Sequence, residues 1–384
     1  MLGQNAPLSQ RFCSYPFSLA EIHNNGNVYV CCPAWVRGGP IGNIFHDQPD
    51  KLWNSLAAQQ MRKQILDGSF SGCRSDVCQF IRSKTLPLRK DMTGPTADII
   101  ATGRTELATG PEVVKLAHDD SCNLSCPSCR THMIVANAER QAILDRMLHE
   151  FILPFMKDAK TLDLSGDGDP FASRHYRAIM RETARTNPSL RINLSTNGVL
   201  CDERAWVDCS LSGRVDRVGV SVDAARPETY SLVRRGGDFE RLLRNLEFLS
   251  KLRTSGQLSR FALNLIVQQA NFREMPEFVD LAVRFNVDQV NFSSIQHWSR
   301  AMNEAEFAES QVWRHGHPEY KEFVAVLRDP RLQNKIVNMG NVGPQPISER
   351  GRELARRLMR TSPLVRTVVN SLRGEVGGWQ HNRS

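Results

Sequence analysis

Short apolar runs, separated by longer amphipathic stretches, are the most regular feature of the chain. Residues 113–118, 161–165, 191–195, 217–222, 262–267 and 288–293 are rich in Val, Leu and Ile and bounded by polar residues, so each reads as a buried strand. Residues 136–157 and 240–254 carry helical patterns. Strand and helix alternating in this order specify an α/β fold with a parallel sheet. Six strands are too few to close an eight-stranded barrel, so the pattern predicts an open, partial (β/α)6 barrel over residues 112–299, with its site at the C-terminal strand ends. Residues 93–111, rich in Gly, Thr and Ala, read as a linker. This leaves residues 1–92 as a small cysteine-rich module and 300–384 as a helical C-terminal extension.

The length of 384 residues exceeds the usual single core and suits one medium domain with a smaller one attached. No apolar run reaches the roughly 20 residues needed to cross a bilayer, so no membrane partner is expected. Residues 1–10 lack the basic flank and apolar core of a secretory signal, which predicts a cytoplasmic protein. In a reducing compartment, clustered thiols point to metal or redox chemistry rather than disulfides. The net charge of +8 is concentrated late in the chain, where Arg350, Arg352, Arg356, Arg357 and Arg360 crowd one segment. Such a run reads as a solvated helix face, and nothing in the chain looks like an RNA-binding fold.

Cys122, Cys126 and Cys129 form a C-x3-C-x2-C loop directly after the first strand of the predicted barrel. Three thiolates on one short loop can hold three irons of a 4Fe-4S cluster, leaving the fourth iron open to another ligand. The competing assignment is a zinc site completed by His118 or His132, although zinc sites favour paired C-x2-C units.

The triplet in this position resembles the signature of the radical S-adenosylmethionine (SAM) superfamily, and the resemblance extends over residues 112–298. Ser165, Gly166, Asp167, Gly168, Asp169 and Pro170 are similar to the family's glycine-acid-proline segment, which implies that Gly166 to Asp169 receive the amino group of SAM. Ser195, Thr196, Asn197 and Gly198 resemble the ribose-contacting segment, giving Ser195 and Asn197 that role. Ser221 and Asp223, followed by Arg234 and Arg235, resemble the region that holds the SAM carboxylate, a task implied for Ser221 and Arg234. Ser128 stands where the family has an aromatic residue near the adenine, and Val267 or a neighbour would supply apolar cover instead. The implied chemistry is reductive cleavage of SAM to methionine and a 5'-deoxyadenosyl radical that abstracts a hydrogen atom. A one-electron donor such as flavodoxin or ferredoxin would be the partner.

Cys13, Gly26 and Cys31 have C-x12-G-x4-C spacing, and Cys73 and Cys78 follow after a gap. The arrangement is similar to the twitch or SPASM modules that carry an auxiliary iron-sulfur cluster, although here it precedes the barrel. Cys13, Cys31, Cys73 and Cys78 would ligate a second 4Fe-4S cluster, with Cys32 as a spare or alternative ligand; a four-cysteine zinc site is the rival.

His118, Asp119, Gln268, Gln269, Gln296, His297 and Trp298 are expected at the barrel mouth, with His297 a candidate general base. Cys201 is a candidate hydrogen-atom donor, the device of radical epimerases. Trp313 and Trp379 are candidate aromatic anchors for a partner. Three function classes compete. The first is a radical enzyme that modifies a ribosomally made peptide, helped by a separate recognition protein. The second acts on a sugar or aminocyclitol as a dehydrogenase or epimerase. The third is a non-enzymatic metal protein that binds nucleic acid.

Overall fold

A computed structural model describes residues 6–164, 167–297 and 301–343. Three strands precede the expected ones: β1 (Leu19–His23), β2 (Asn27–Tyr29) and β3 (Gly42–Asn43). The predicted strands follow as β4 (Val113–Ala117), β5 (Thr161–Leu164), β6 (Arg191–Thr196), β7 (Val215–Ser221), β8 (Arg260–Val267) and β9 (Gln289–Ser294). A short β10 (Val337–Asn338) ends the described set. All belong to one ten-stranded sheet in the order β10-β9-β8-β7-β6-β5-β4-β1-β2-β3.

The wall of the barrel is therefore wider than its six predicted strands. β1 runs parallel to β4 in register from Leu19 opposite Val113 to His23 opposite Ala117, and β2 and β3 continue outward in antiparallel pairing. β10 lies parallel to β9 at the other end. Both β4 and β9 would otherwise present unpaired N–H and C=O groups, which neighbouring chain readily covers. The cysteine-rich segment is thus built into the sheet rather than set beside it.

Side-chain alternation decides what each face of the sheet does. On β8, Phe261, Leu263, Leu265 and Val267 are buried in the main core, and helix Phe239–Thr254 packs on this strand. Asn264 and Ile266 alternate with them and turn to the inner, half-buried face. The same alternation puts Glu21, Lys115, Asp163, Asn193, Ser195, Ser221 and Asn291 on that inner face.

Two expectations for the flanks change. Residues 93–111 carry helix Gly94–Thr102, opened by Pro95 and closed by Gly103 at φ 64°, so the Gly, Thr and Ala that suggested a linker include its start and stop signals. The described part of the C-terminal extension holds helices Glu304–Ser310 and Tyr320–Val326 and β10. Trp313 within it is buried, so it cannot serve as an exposed anchor. The five arginines of the basic run and Trp379 lie outside the described residues. Among the described residues no helix is long and apolar enough to cross a membrane.

One buried cation organises the N-terminal segment. Arg62 on helix Leu56–Leu66 is fully buried, and its guanidinium lies 4.5 Å from the Trp53 ring centroid. It donates to the carbonyls of Pro16 at 2.8 Å, Trp53 at 2.8 Å and Thr105 at 2.8 Å, and to Asn54 Oδ1 at 2.9 Å. Burial lowers its pKa to about 10, which leaves it charged near neutrality. Three segments separated in sequence thus share one set of donors. Arg62→Met, which keeps the volume and removes the donors, is expected to lower stability by on the order of 3 kcal/mol, measured as a shift of the urea unfolding midpoint.

Candidate active site

The loop after β4 is held from three directions, each by one of the segments singled out in the sequence. From below, Asp169 donates its backbone N–H to Ser121 O at 2.9 Å, and Gly168 lies so close that an added Cβ would sit 2.4 Å from Asp119 O. Only glycine fits there. From one side, Asn197 Nδ2 donates to Asn123 Oδ1 at 2.9 Å and lies 3.8 Å from Cys122 Sγ. From the other, Arg235 donates to Ser125 O at 3.1 Å while its own carbonyl accepts from Ser125 N at 3.0 Å.

Each of the three loop sulfurs has an N–H donor aimed at it. Asn197 serves Cys122, Arg234 Nη1 lies 3.7 Å from Cys126 Sγ, and Arg130 Nε and Nη2 each lie 3.4 Å from Cys129 Sγ. Cys122 and Cys126 are buried and Cys129 is exposed. Burial raises the Cys122 pKa, and Asp169 and Cys126 add to it, whereas the Leu124 amide and Arg130 oppose it. A sulfur carrying negative charge in a dry pocket needs such donors, so this set suits iron-bound thiolates.

Several predicted cofactor contacts have other work. Asp169 spends both carboxylate oxygens within the protein: Oδ1 accepts from Phe171 N at 3.0 Å, and Oδ2 accepts from Thr196 Oγ1 at 2.7 Å and Asn197 N at 2.8 Å. It therefore ties two motif loops together and offers nothing to an ammonium. Arg234 Nη2 pairs with Asp223 at 2.7 Å, while its buried Nε has no partner among the described residues. Asp223 itself holds φ 62°, uncommon outside glycine, and its other oxygen accepts from Ile266 N at 2.7 Å. Burial raises the pKa of Asp223, and Arg234 opposes that rise. Val267 faces the core, so apolar cover on the inner face comes from its neighbour Ile266. Asp167 is exposed, and desolvation by the surrounding protein raises its pKa. Ser195 and Ser221 are half-buried on the inner face, and Ser128 sits on the cysteine loop. Gly166 lies outside the described residues.

Arg130, which the sequence reading did not single out, and Asp223, named there without a role, both brace the cysteine loop. Arg130 also donates to Asp120 O at 2.6 Å and to Asp167 O. Its signal was present, a cation directly after the third cysteine, but its partners come from a different loop.

The N-terminal thiols gather from four segments. Residues 35–37 pair with 72–74 through Val36 opposite Cys73, and through Arg37 N to Gly72 O at 2.8 Å. Burial pushes Cys13 up to about 11 and Cys73 up to about 12, and each is raised further by the charge of Cys78. Cys31 is raised by burial and then by Cys13, Cys73, Cys32 and Cys78. Cys32 has different neighbours, since Glu21 and Lys115 act on it after burial. Buried thiols that would repel one another once ionised stay protonated unless a cation lies among them, and a metal ion bound by all four would be such a cation. Among the described residues no three His, Cys, Asp or Glu side chains form a ready single-ion site.

Both candidate catalytic groups are otherwise engaged. Cys201 is fully buried in the main core, with burial raising its pKa well above the usual thiol value, so it cannot meet a substrate. His297 Nε2 lies 2.8 Å from Met302 O, its Nδ1 lies 3.4 Å from Glu304, and its ring stacks on Phe307. It secures the start of the C-terminal segment instead of facing the barrel as a free base. At the rim, Gln269 Nε2 lies 3.3 Å from Glu319 Oε1, Gln296 Nε2 lies 3.1 Å from Ser294 Oγ, and Gln268 is buried. Trp298 lies outside the described residues. Asp119 accepts from Ser121 Oγ at 2.8 Å and from Ser173 Oγ at 2.5 Å. His118 turns away from the mouth, toward helix Arg174–Thr186, where its Nε2 lies 2.8 Å from Nε2 of His175.

Family models match the chain in two places. The model described as "Radical SAM superfamily" covers residues 117–290, and the one described as "Iron-sulfur cluster-binding domain" (SPASM) covers 13–79. Residues 117–290 of the chain carry the radical SAM superfamily domain. Members of this superfamily are enzymes, and the radical SAM domain implies a 4Fe-4S cluster and SAM, while the SPASM match implies auxiliary iron-sulfur binding. A GTP 3',8-cyclase of Clostridium botulinum (strain Hall) is 22% identical over 178 residues, covering 45% of this chain and 53% of that protein. The GTP 3',8-cyclase of Peptoclostridium acidaminophilum is 26% identical over 178 residues, covering 46% and 53%. The chain thus spans about half the length of the curated relatives it matches. Among solved structures, Streptococcus suis SuiB bound to S-adenosylmethionine aligns with a TM-score of 0.41 at 12% identity, over 78% of this chain and 69% of that one.

The histidine pair under the cluster loop makes stability pH-dependent. Burial holds His118 well below its ordinary value and brings His175 down to about 4 from 6.5. Both are neutral when folded, so the unfolded chain takes up protons first, and their contribution is complete above about pH 6.5 and lost as pH falls toward 4. The melting temperature is expected to decline across that window, and His175→Phe to flatten the decline. Identical slopes for the two proteins would show that the pair plays no part.

Proposed function

We propose that this protein is a peptide-modifying radical SAM enzyme of the ribosomal peptide maturase type. In this reading Cys122, Cys126 and Cys129 hold the SAM-binding cluster, and Cys13, Cys31, Cys73 and Cys78 hold an auxiliary one, leaving Cys32 outside both. The observation that carries the first assignment is the convergence of the Asp169, Asn197 and Arg234–Arg235 segments on one loop whose three sulfurs all receive donors. When bound, the cluster and SAM supply a 5'-deoxyadenosyl radical that abstracts a hydrogen atom from the substrate.

The protein's own residues do the positioning. Asp223 fixes the Arg234 guanidinium, so that its charge stays beside Cys126. Ser195 and Ser221 offer hydroxyls for the ribose and carboxylate of SAM, and Asp167, exposed beside the loop, offers a carboxylate for its amino group. Ile266 gives apolar cover that excludes water. Cys129, the exposed thiol, marks the side from which a one-electron donor such as flavodoxin or ferredoxin would approach.

A peptide substrate rests on the width of the inner face. Its polar side chains run from Glu21 on β1 to Asn338 on β10 across eight adjacent strands, each about 4.8 Å from the next. A surface of that extent suits an extended chain better than a single sugar ring. A separate recognition protein would deliver the peptide.

The anaerobically reconstituted protein is expected to hold about eight irons per chain, as two 4Fe-4S clusters require. Cys126→Ala is expected to reduce dithionite-driven formation of 5'-deoxyadenosine to background; a near-native rate would refute the assignment. Cys73→Ala is expected to fall to about four irons and to lose peptide product while keeping abortive SAM cleavage. One zinc per chain beside four irons would replace the auxiliary cluster with a structural zinc site. Deuterium transfer into 5'-deoxyadenosine from a labelled free sugar or from GTP, and from no peptide, would overturn the substrate class.

A further inference from the structure

The inner face of the sheet is lined by polar side chains that largely satisfy one another, and the exceptions cluster. At one end Glu21 accepts from Lys115 Nζ at 3.0 Å and lies 2.9 Å from His23 Nε2. Toward the other end Asn338 donates to Asn291 Oδ1 at 3.1 Å, and Asn291 donates to Asn264 Oδ1 at 2.9 Å. In the middle Asn193 Nδ2 donates to Asp163 Oδ1 at 2.6 Å. Around this centre Asp163 Oδ2, Asn193 Oδ1 and Asn264 Nδ2 make no hydrogen bond among the described residues, and neither do the hydroxyls of Ser195 and Ser221 beside them.

Between Asn193 and Asn264 runs β7, and the inner-face residue there is Gly219. It pairs with Ser195 on one side and Ala262 on the other, and a Cβ added to it would lie 3.2 Å from Asn264 Nδ2. A glycine inside a buried strand leaves a bare patch of backbone where another group can approach closely. The patch is thus flanked by a free acceptor on Asn193, a free donor on Asn264 and a half-buried carboxylate oxygen on Asp163.

A peptide unit has one N–H and one C=O, which is what this pair of asparagines complements. A half-buried carboxylate with one oxygen free is best matched by a cation. We infer that the patch over Gly219 binds the backbone amide of one substrate residue between Asn193 and Asn264, while Asp163 receives that residue's cationic side chain, lysine or arginine. The inference rests on the peptide reading above and names the residue class that the face selects. Asp163 acts here as a specificity determinant, because it discriminates between a charged chain and a neutral one of equal length.

The test uses the full protein reconstituted with iron, sulfide and SAM, titrated with N-acetyl-lysine N-methylamide, its norleucine counterpart and D-glucosamine while binding is followed by ligand-observed NMR. The lysine compound is expected to bind at least tenfold more tightly than the norleucine compound, and Asp163→Asn to erase the difference. Glucosamine, which has the amine without the peptide amides, is expected to bind no better than norleucine amide. Iron content and melting temperature report whether Asp163→Asn folds; should it not, the wild-type ratio of lysine to norleucine decides alone. Equal binding of the two amides, tighter binding of glucosamine, or binding of none overturns the inference. Formation of 5'-deoxyadenosine by the wild-type protein without any of these compounds tests the radical chemistry separately, so failure of one reading is distinguishable from failure of the other.

Discussion

Negative charge on buried sulfur is the constraint that the rest of the site serves. Cys122 lies in a pocket where burial works against ionisation, and the protein brings donors to it and to the buried Cys126 from two other loops. Each donor must in turn be held. Arg234 is fixed by Asp223, Arg130 by the carbonyls of Asp120 and Asp167, and Asn197 by Asn123. The strained backbone of Asp223 belongs to this chain of dependence, since φ 62° is what aims its carboxylate at both Arg234 and Ile266 N.

A second consequence comes from sheet pairing. Because β1 takes the place beside β4, the segment that gathers the N-terminal thiols also contributes Glu21 and His23 to the inner face. Glu21 is held below the ordinary carboxylate range by His23 and Lys115 against the opposing effect of burial. Burial raises the pKa of Tyr15, and Cys13, Cys31 and Asp163 add to it, so Tyr15 stands near both the N-terminal thiols and the inner face. Arg62 supports this arrangement from behind by joining the residues after Cys13 to those before β4.

Much of this was legible in the order of residues, and for identifiable reasons. Strand positions were readable because parallel strands buried on one face by helices concentrate Val, Leu and Ile in short runs, and the six predicted runs fall on β4 to β9. The C-x3-C-x2-C loop, the glycine-acid segment and the Thr-Asn-Gly segment were readable because cluster ligation and tight turns restrict which residue types work at which spacing. Gly168 and Gly198 are such cases, the first through close approach to Asp119 O and the second through φ 79°.

What the chain alone could not specify is which partner each polar group takes. Asp169 was assigned to SAM because isolated charges near a cofactor motif suggest ligand contacts, yet folding delivers Thr196 and Asn197 to it, just as it delivers Asp223 to one side of Arg234. Cys201 and His297 were plausible by sequence distance and are removed by direction, one turned into the core and the other stacked on Phe307. The width of the wall was equally hidden, since β1, β2, β3 and β10 are two to five residues long and gain their stability only by pairing. Residue type and spacing determined the fold class and the cysteine loop, because those depend on local periodicity and ligand number. Only the tertiary structure decided the bracing of the loop and the inner face, because hydrogen bonds between strands far apart in sequence leave no local pattern.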